Sequence, residues 1–118
     1  MDYRPSIDKH KLVINELDLK SNEYIIAFQS KFGTQKWLSP NTLDVLASIA
    51  KSGINSVDII CPGFVVDCLE TLEEIAIVNK QVFMDNGGIK YNYIPCLNAG
   101  DGLTQTLKAL VNNYLDED

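Results

Sequence analysis

The residues best suited to chemistry lie in one stretch, Pro62–Glu74, which reads PGFVVDCLETLEE. It follows an apolar run, begins with a Pro-Gly turn and continues into a helical pattern that carries several carboxylates. In a parallel α/β sheet, ligands bind where strands end and the following helices begin. A catalytic or binding site of this chain is therefore predicted at this stretch.

The acids of this stretch have both a structural and a chemical interpretation. Asp67 and Glu70 have the spacing of a capping box, in which each side chain accepts a hydrogen bond from a free backbone N–H of the first helical turn. Glu70 and Glu74 lie one turn apart beside Ile77, where two like charges repel by about 0.2–0.5 kcal/mol. Such a pair beside an apolar side chain could line a cleft for a cation and an apolar ligand. On pattern alone, a solvated helix face is the favoured interpretation.

The cysteines and the single histidine are weaker candidates. Cys61, Cys68 and Cys96 are widely spaced and form no CxxC pair, so a zinc or iron–sulfur site within this chain is not expected. Free thiols indicate a reducing compartment, and a cytoplasmic location is predicted. His10 lies between two lysines with no base or nucleophile evident beside it, so it is expected at the surface.

The composition limits the classes of partner. The 118 residues carry a net charge of -6 and form no basic stripe, which argues against binding to nucleic acid or to anionic lipid surfaces. No run of about 18 apolar residues occurs, so no membrane-spanning helix is predicted. The length suits one domain, and an apolar content of 46% suffices for a core.

The elements that must position the acidic stretch alternate between helices and strands. Continuous apolar runs predict three buried strands, which are Tyr24–Phe28, Val57–Cys61 and Tyr91–Ile94. Amphipathic patterns predict four helices, the first within residues 1–20 and the last ending before a frayed tail at residues 116–118. This alternation predicts an α/β fold with a short parallel sheet.

The helix that carries the acids is predicted from about Cys68 to Asp85. At 100° per residue, its apolar face comprises Leu69, Leu72, Ile75, Ala76, Val82 and Phe83. A shorter helix is predicted before it, capped by Asn41 or Thr42 and ended by Gly53.

Three segments together resemble ferrochelatase, the enzyme that inserts ferrous iron into a porphyrin late in haem synthesis. They are Phe28–Leu38 (FQSKFGTQKWL), Pro62–Glu74 and Ile94–Asn98 (IPCLN), in the family's order and spacing. The resemblance covers essentially the whole chain but only the C-terminal half of the family, which has two Rossmann-like halves with a porphyrin cleft between them. It implies that residues 1–118 form one Rossmann-like three-layer domain, one half of the chelatase fold.

The resemblance also implies roles for individual residues. Glu70 matches the glutamate that faces a catalytic histidine across the cleft and handles both the metal and the pyrrole protons. Glu74 matches the next acid of a metal path, and Val78 stands where a further acid is often found. Gln29, Ser30 and Trp37 match positions near the family's porphyrin site. Phe64 and Ile77 are also assigned to porphyrin binding, because large apolar side chains suit a flat macrocycle.

The substrates and partners follow from the same resemblance. Porphyrin and ferrous iron are the expected substrates, with no tightly bound cofactor and no iron–sulfur cluster. The family's histidine lies in a His-Gly motif that this chain lacks, and His10 does not match it. The isolated chain is therefore expected to be incomplete, needing the N-terminal half or self-association. Two alternatives stay open, a non-catalytic α/β module that binds a partner and a short chelatase that acts as a symmetric dimer.

Overall fold

A computed structural model describes residues 4–29 and 39–116, in which helices alternate with the strands of a parallel sheet. The elements are α1 (Arg4–Glu16), α2 (Thr42–Lys51), β1 (Ser56–Ile60), a π-helix (Glu70–Asn79), α3 (Lys80–Asp85), β2 (Lys90–Ile94) and α4 (Asp101–Asp116). This architecture confirms the predicted α/β class with a short parallel sheet. Within the described ranges, no helix is long and apolar enough to cross a bilayer.

The sheet consists of β1 and β2, paired in register from Ser56 opposite Lys90 to Ile60 opposite Ile94. The first predicted strand, Tyr24–Phe28, is wrong, because this segment contributes only one isolated bridge at Phe28. Phe28 N–H donates to the Pro40 carbonyl over 2.9 Å, so its backbone pairs with the loop before α2. A short apolar run indicates burial, but it does not specify which backbone will complete the hydrogen bonds.

Helices cover one face of the sheet. Val57, Ile59, Tyr91 and Tyr93 point towards them, and the centre of this core consists of Leu46, Ala50, Phe83 and Tyr91. The alternate positions of both strands are exposed, as the period of two requires when one face is uncovered. The three-layer arrangement therefore stays a prediction, since the described residues place helices on only one face.

Local chemistry explains the ends of α2. The Asn41 side chain accepts hydrogen bonds from the backbone N–H groups of Leu43 and Asp44, at 3.0 and 3.4 Å. After Ser52, Gly53 adopts a φ of 103°, a conformation that glycine reaches without steric cost. Of the two predicted caps, Asn41 is the one that the structure has, and the predicted terminator Gly53 is confirmed.

The long helix extends to Asp85 as predicted, but its first ten residues form a π-helix. The buried side chains of the π-helix are Thr71, Ile75 and Asn79, four residues apart, whereas Leu69 and Leu72 are 69% and 51% exposed. The predicted apolar face was wrong at Leu69 and Leu72, because the helix turns the side that carries Thr71, Ile75 and Asn79 towards the core.

The turn after α3 leaves no room for a side chain at Gly88. A Cβ there would lie 2.2 Å from Cδ1 of Phe83, whose ring is completely buried. We therefore expect Gly88→Ala to lower the free energy of unfolding by about 1–3 kcal/mol, measured by urea denaturation. Gly63→Ala is the matched control, because no neighbouring atom of the described residues lies within 4 Å of the position that its Cβ would take. Equal stability of the two variants would contradict this packing.

Candidate functional site

The candidate site lies at the carboxyl edge of the sheet, where β1 runs into the acidic stretch. Cys61 directly follows β1, and its carbonyl accepts a hydrogen bond of 3.1 Å from Phe64 N–H, which closes the turn. Burial, with neighbouring thiols and carboxylates, raises the pKa of Cys61 to about 12. Its thiol therefore stays protonated at neutral pH, which makes it unsuited to nucleophilic chemistry.

The Asp67 carboxylate is the most densely hydrogen-bonded group of the site. It accepts from the Tyr93 hydroxyl at 2.5 Å, from Thr71 Oγ1 at 2.9 Å and from Asn98 Nδ2 at 2.8 Å. These bonds, led by that of Tyr93, hold the pKa of Asp67 well below its usual range. Its contribution to stability is therefore present above about pH 4 and is lost as the pH falls further through the lowered pKa.

The predicted capping box between Asp67 and Glu70 is wrong. Asp67 N–H donates to Asn98 Oδ1 at 2.8 Å, and Cys68 N–H donates to Thr71 Oγ1 at 3.0 Å. Asn98 thus occupies the Asp67 N–H that a capping box assigns to Glu70, and Thr71 occupies the N–H of Cys68. Glu70 therefore does not complete a capping box with Asp67, and the helix cap residue Leu69 makes no side-chain capping bond.

Glu70 lies on the first turn of the π-helix and is partly buried. Hydrogen bonds from the Cys68 thiol and from its own backbone N–H lower the pKa of its carboxyl group. The group is therefore ionised at neutral pH and carries the charge needed to attract a cation. Its backbone carbonyl accepts a 2.9 Å hydrogen bond from Gln29 Nε2, so the segment before α2 contacts this turn.

The other predicted site residues are placed as follows. Glu74 and Phe64 are partly buried, and Ile77 is 64% exposed on the same helix as Glu70. Ser30 and Trp37 lie outside the described residues, and so does most of the first matched segment. Within residues 4–29 and 39–116, no group of three or more histidine, cysteine or acidic side chains is suited to hold a metal ion. The assigned roles of these residues stay predictions.

The sequence analysis assigned no role to three residues of the site, which are Thr71, Tyr93 and Asn98. They belong to different elements and meet only because β1 and β2 end side by side. For Asn98, the sequence did contain a signal: this residue lies in the segment Ile94–Asn98, directly after β2. Residues that follow neighbouring parallel strands gather at one edge of a sheet, where sites form.

Comparison with known proteins adds the family context. The family model described as Ferrochelatase matches residues 2–115. The chain is 43% identical to a ferrochelatase of Neisseria meningitidis serogroup C over 89% of this chain and 31% of that protein. It is 48% identical to a ferrochelatase of Methylococcus capsulatus over 84% of this chain and 30% of that protein. The chain thus spans about 30% of the length of these curated relatives.

Proposed function

The chain belongs to the ferrochelatase family, and we propose that it forms the metal-handling wall of an enzyme that inserts ferrous iron into a porphyrin in haem biosynthesis. This reaction belongs to the lyase class, with Fe²⁺ and the porphyrin as substrates and no resident cofactor. The observation that carries the proposal is the ionised carboxylate of Glu70, a partly buried residue at the carboxyl edge of the sheet.

The chemistry needs a base that also attracts a cation. Fe²⁺ replaces two pyrrole protons, so two N–H bonds break, four Fe–N bonds form and two protons leave the macrocycle. The Glu70 carboxylate attracts Fe²⁺ while the metal ion loses its bound water, and it also accepts a pyrrole proton. Glu74 lies four residues further along the helix and supplies a second oxygen donor. Two carboxylates hold the metal weakly, which suits a metal that must be released to four nitrogens.

The porphyrin surface is proposed from three residues matched to the family, Gln29, Ser30 and Trp37, and from two apolar side chains near the acids. Phe64 and Ile77 supply apolar contacts near the acids, together with Trp37, and a flat apolar ligand favours such side chains. Ser30 and Gln29 supply polar contacts. Gln29 also donates to the Glu70 carbonyl, which links the porphyrin-binding loop to the metal-handling helix.

The remaining two-thirds of a ferrochelatase is the proposed partner of this chain. The sequence lacks the family's histidine, so the isolated chain is proposed to be inactive. Within the described part of the chain, no residue of α4 is buried, and its exposed apolar side chains include Leu107, Leu110, Val111 and Tyr114. The radius of gyration, 16.6 Å, exceeds the roughly 13–14 Å of a compact domain of this length. We assign the α4 face to contact with that missing portion, in the cytoplasm.

A hybrid enzyme tests this function. The matched segment of the Neisseria meningitidis relative is replaced by this chain, and Fe²⁺ insertion into protoporphyrin is followed anaerobically by absorbance. We expect turnover by the hybrid and none by either part alone, because only the hybrid has both walls of the cleft. Turnover by the isolated chain would instead indicate a symmetric dimeric chelatase. Inactive hybrids with both the Neisseria and the Methylococcus relatives would favour a non-catalytic binding module.

A further inference from the structure

Asn98 connects the loop after β2 to the acidic stretch through both its side chain and its backbone. Its Oδ1 accepts from Asp67 N–H, and its Nδ2 donates to Asp67 Oδ2 and to the Cys96 carbonyl, at 2.8, 2.8 and 3.0 Å. Its own N–H donates to the Val65 carbonyl at 3.0 Å. The loop after β2 is thus bonded to the loop after β1 at two places, at Val65 and at Asp67.

The chemistry of these bonds suits a side-chain amide. Asp67 presents both a backbone donor and a carboxylate acceptor, and an amide has a separate oxygen that accepts from the first and a nitrogen that donates to the second. A carboxylate at residue 98 would accept but would repel Asp67. Asn98 also has a φ of 53°, in the left-handed region that asparagine enters more readily than most residues.

Tyr93 supports the same carboxylate from within the sheet. Its hydroxyl donates to Asp67 Oδ1, and Tyr93 lies on β2 opposite Ile59 of β1. Thr71 Oγ1 completes the arrangement by donating to Asp67 and accepting from Cys68 N–H. The first turn of the π-helix is thereby attached to the rigid sheet on one side, while Gln29 holds the Glu70 carbonyl on the other.

We propose that Asn98 and Tyr93 are positioning residues that hold the first turn of the π-helix, and with it the Glu70 carboxylate, through Asp67. The inference rests on the proposed function. Glu70 is three residues after Asp67, so loosening Asp67 shifts the carboxylate that must meet the metal and the pyrrole nitrogen. A displacement of about 1 Å at a reacting group lowers rates by as much as about 100-fold.

The first test measures amide hydrogen exchange in the full 118-residue chain. Asn98→Gly removes the side chain while glycine accepts the left-handed backbone, and Tyr93→Phe removes one hydroxyl. We expect Asn98→Gly to accelerate exchange at least tenfold at Cys68, Thr71 and Leu72, with unchanged exchange in α3. Tyr93→Phe should give a smaller effect at the same amides. Asn92→Ala, at an exposed position of β2, is the control and should change neither region.

The second test measures kinetics in the hybrid enzyme. Asn98→Gly should lower kcat at least tenfold and leave KM for porphyrin within about twofold, because Glu70 is displaced and the porphyrin contacts are retained. Unchanged exchange at the first turn, uniform acceleration throughout the chain, or faster local exchange with unchanged kcat would each overturn the proposal. A hybrid without turnover would count against the proposed function, and the exchange pattern would still decide whether Asn98 holds this turn.

Discussion

Replacing Glu70 by glutamine is expected to lower iron insertion by the hybrid enzyme by two to four orders of magnitude, the usual contribution of an acid–base group. The amide neither accepts the pyrrole proton nor carries the charge that attracts Fe²⁺. The thermal midpoint should stay nearly constant, because glutamine has a similar shape and its side-chain oxygen can still accept the hydrogen bonds that Glu70 accepts from the Cys68 thiol and from its own backbone N–H. This substitution therefore separates an effect on turnover from an effect on the stability of the fold.

Both quantities must be measured on the same preparation, turnover by absorbance and unfolding by circular dichroism. Glu73→Gln is the matched control, since it makes the same change to an exposed acid of the same helix. We expect it to retain most of the activity. Normal turnover by Glu70→Gln would remove the catalytic assignment, and a large fall in the thermal midpoint would show that Glu70 serves the fold.

Leu110→Asp on α4 is expected to destabilise the hybrid by about 3–5 kcal/mol, the effect of an unpaired charge in a buried contact. In the isolated chain the same change should alter stability by less than about 0.5 kcal/mol, because Leu110 is 59% exposed there. The difference between the two effects measures whether the missing portion of the enzyme covers this face. Urea denaturation of both proteins gives both values.

Gln105→Asp is the control for this comparison. It introduces the same acid on the opposite side of α4 and should affect both proteins little. Equal effects of Leu110→Asp in the hybrid and in the isolated chain would argue that the α4 face stays in solvent. If Leu110→Asp instead converts a dimer of the isolated chain into a monomer, a second copy covers the face.

The sequence by itself determined the features that depend on neighbouring residues. The cap at Asn41, the left-handed turn at Gly53 and the extent of the helix that ends at Asp85 follow from hydrogen bonds and steric limits within a few residues. The family could likewise be identified from the sequence, because each of its matched segments is a continuous stretch of the chain. The alternation of strands and helices was sufficient for the α/β class.

Only the tertiary structure decided which distant groups meet. Tyr24–Phe28 is as apolar as a strand, but Phe28 pairs with the loop before α2. The helix carrying Glu70 is a π-helix for ten residues, and it buries Thr71 rather than Leu72 against the core. Asn98 reaches Asp67, 31 residues away in sequence, because β1 and β2 end at the same edge of the sheet. No local pattern encodes these partners, since each depends on how the backbone of one element is placed against another.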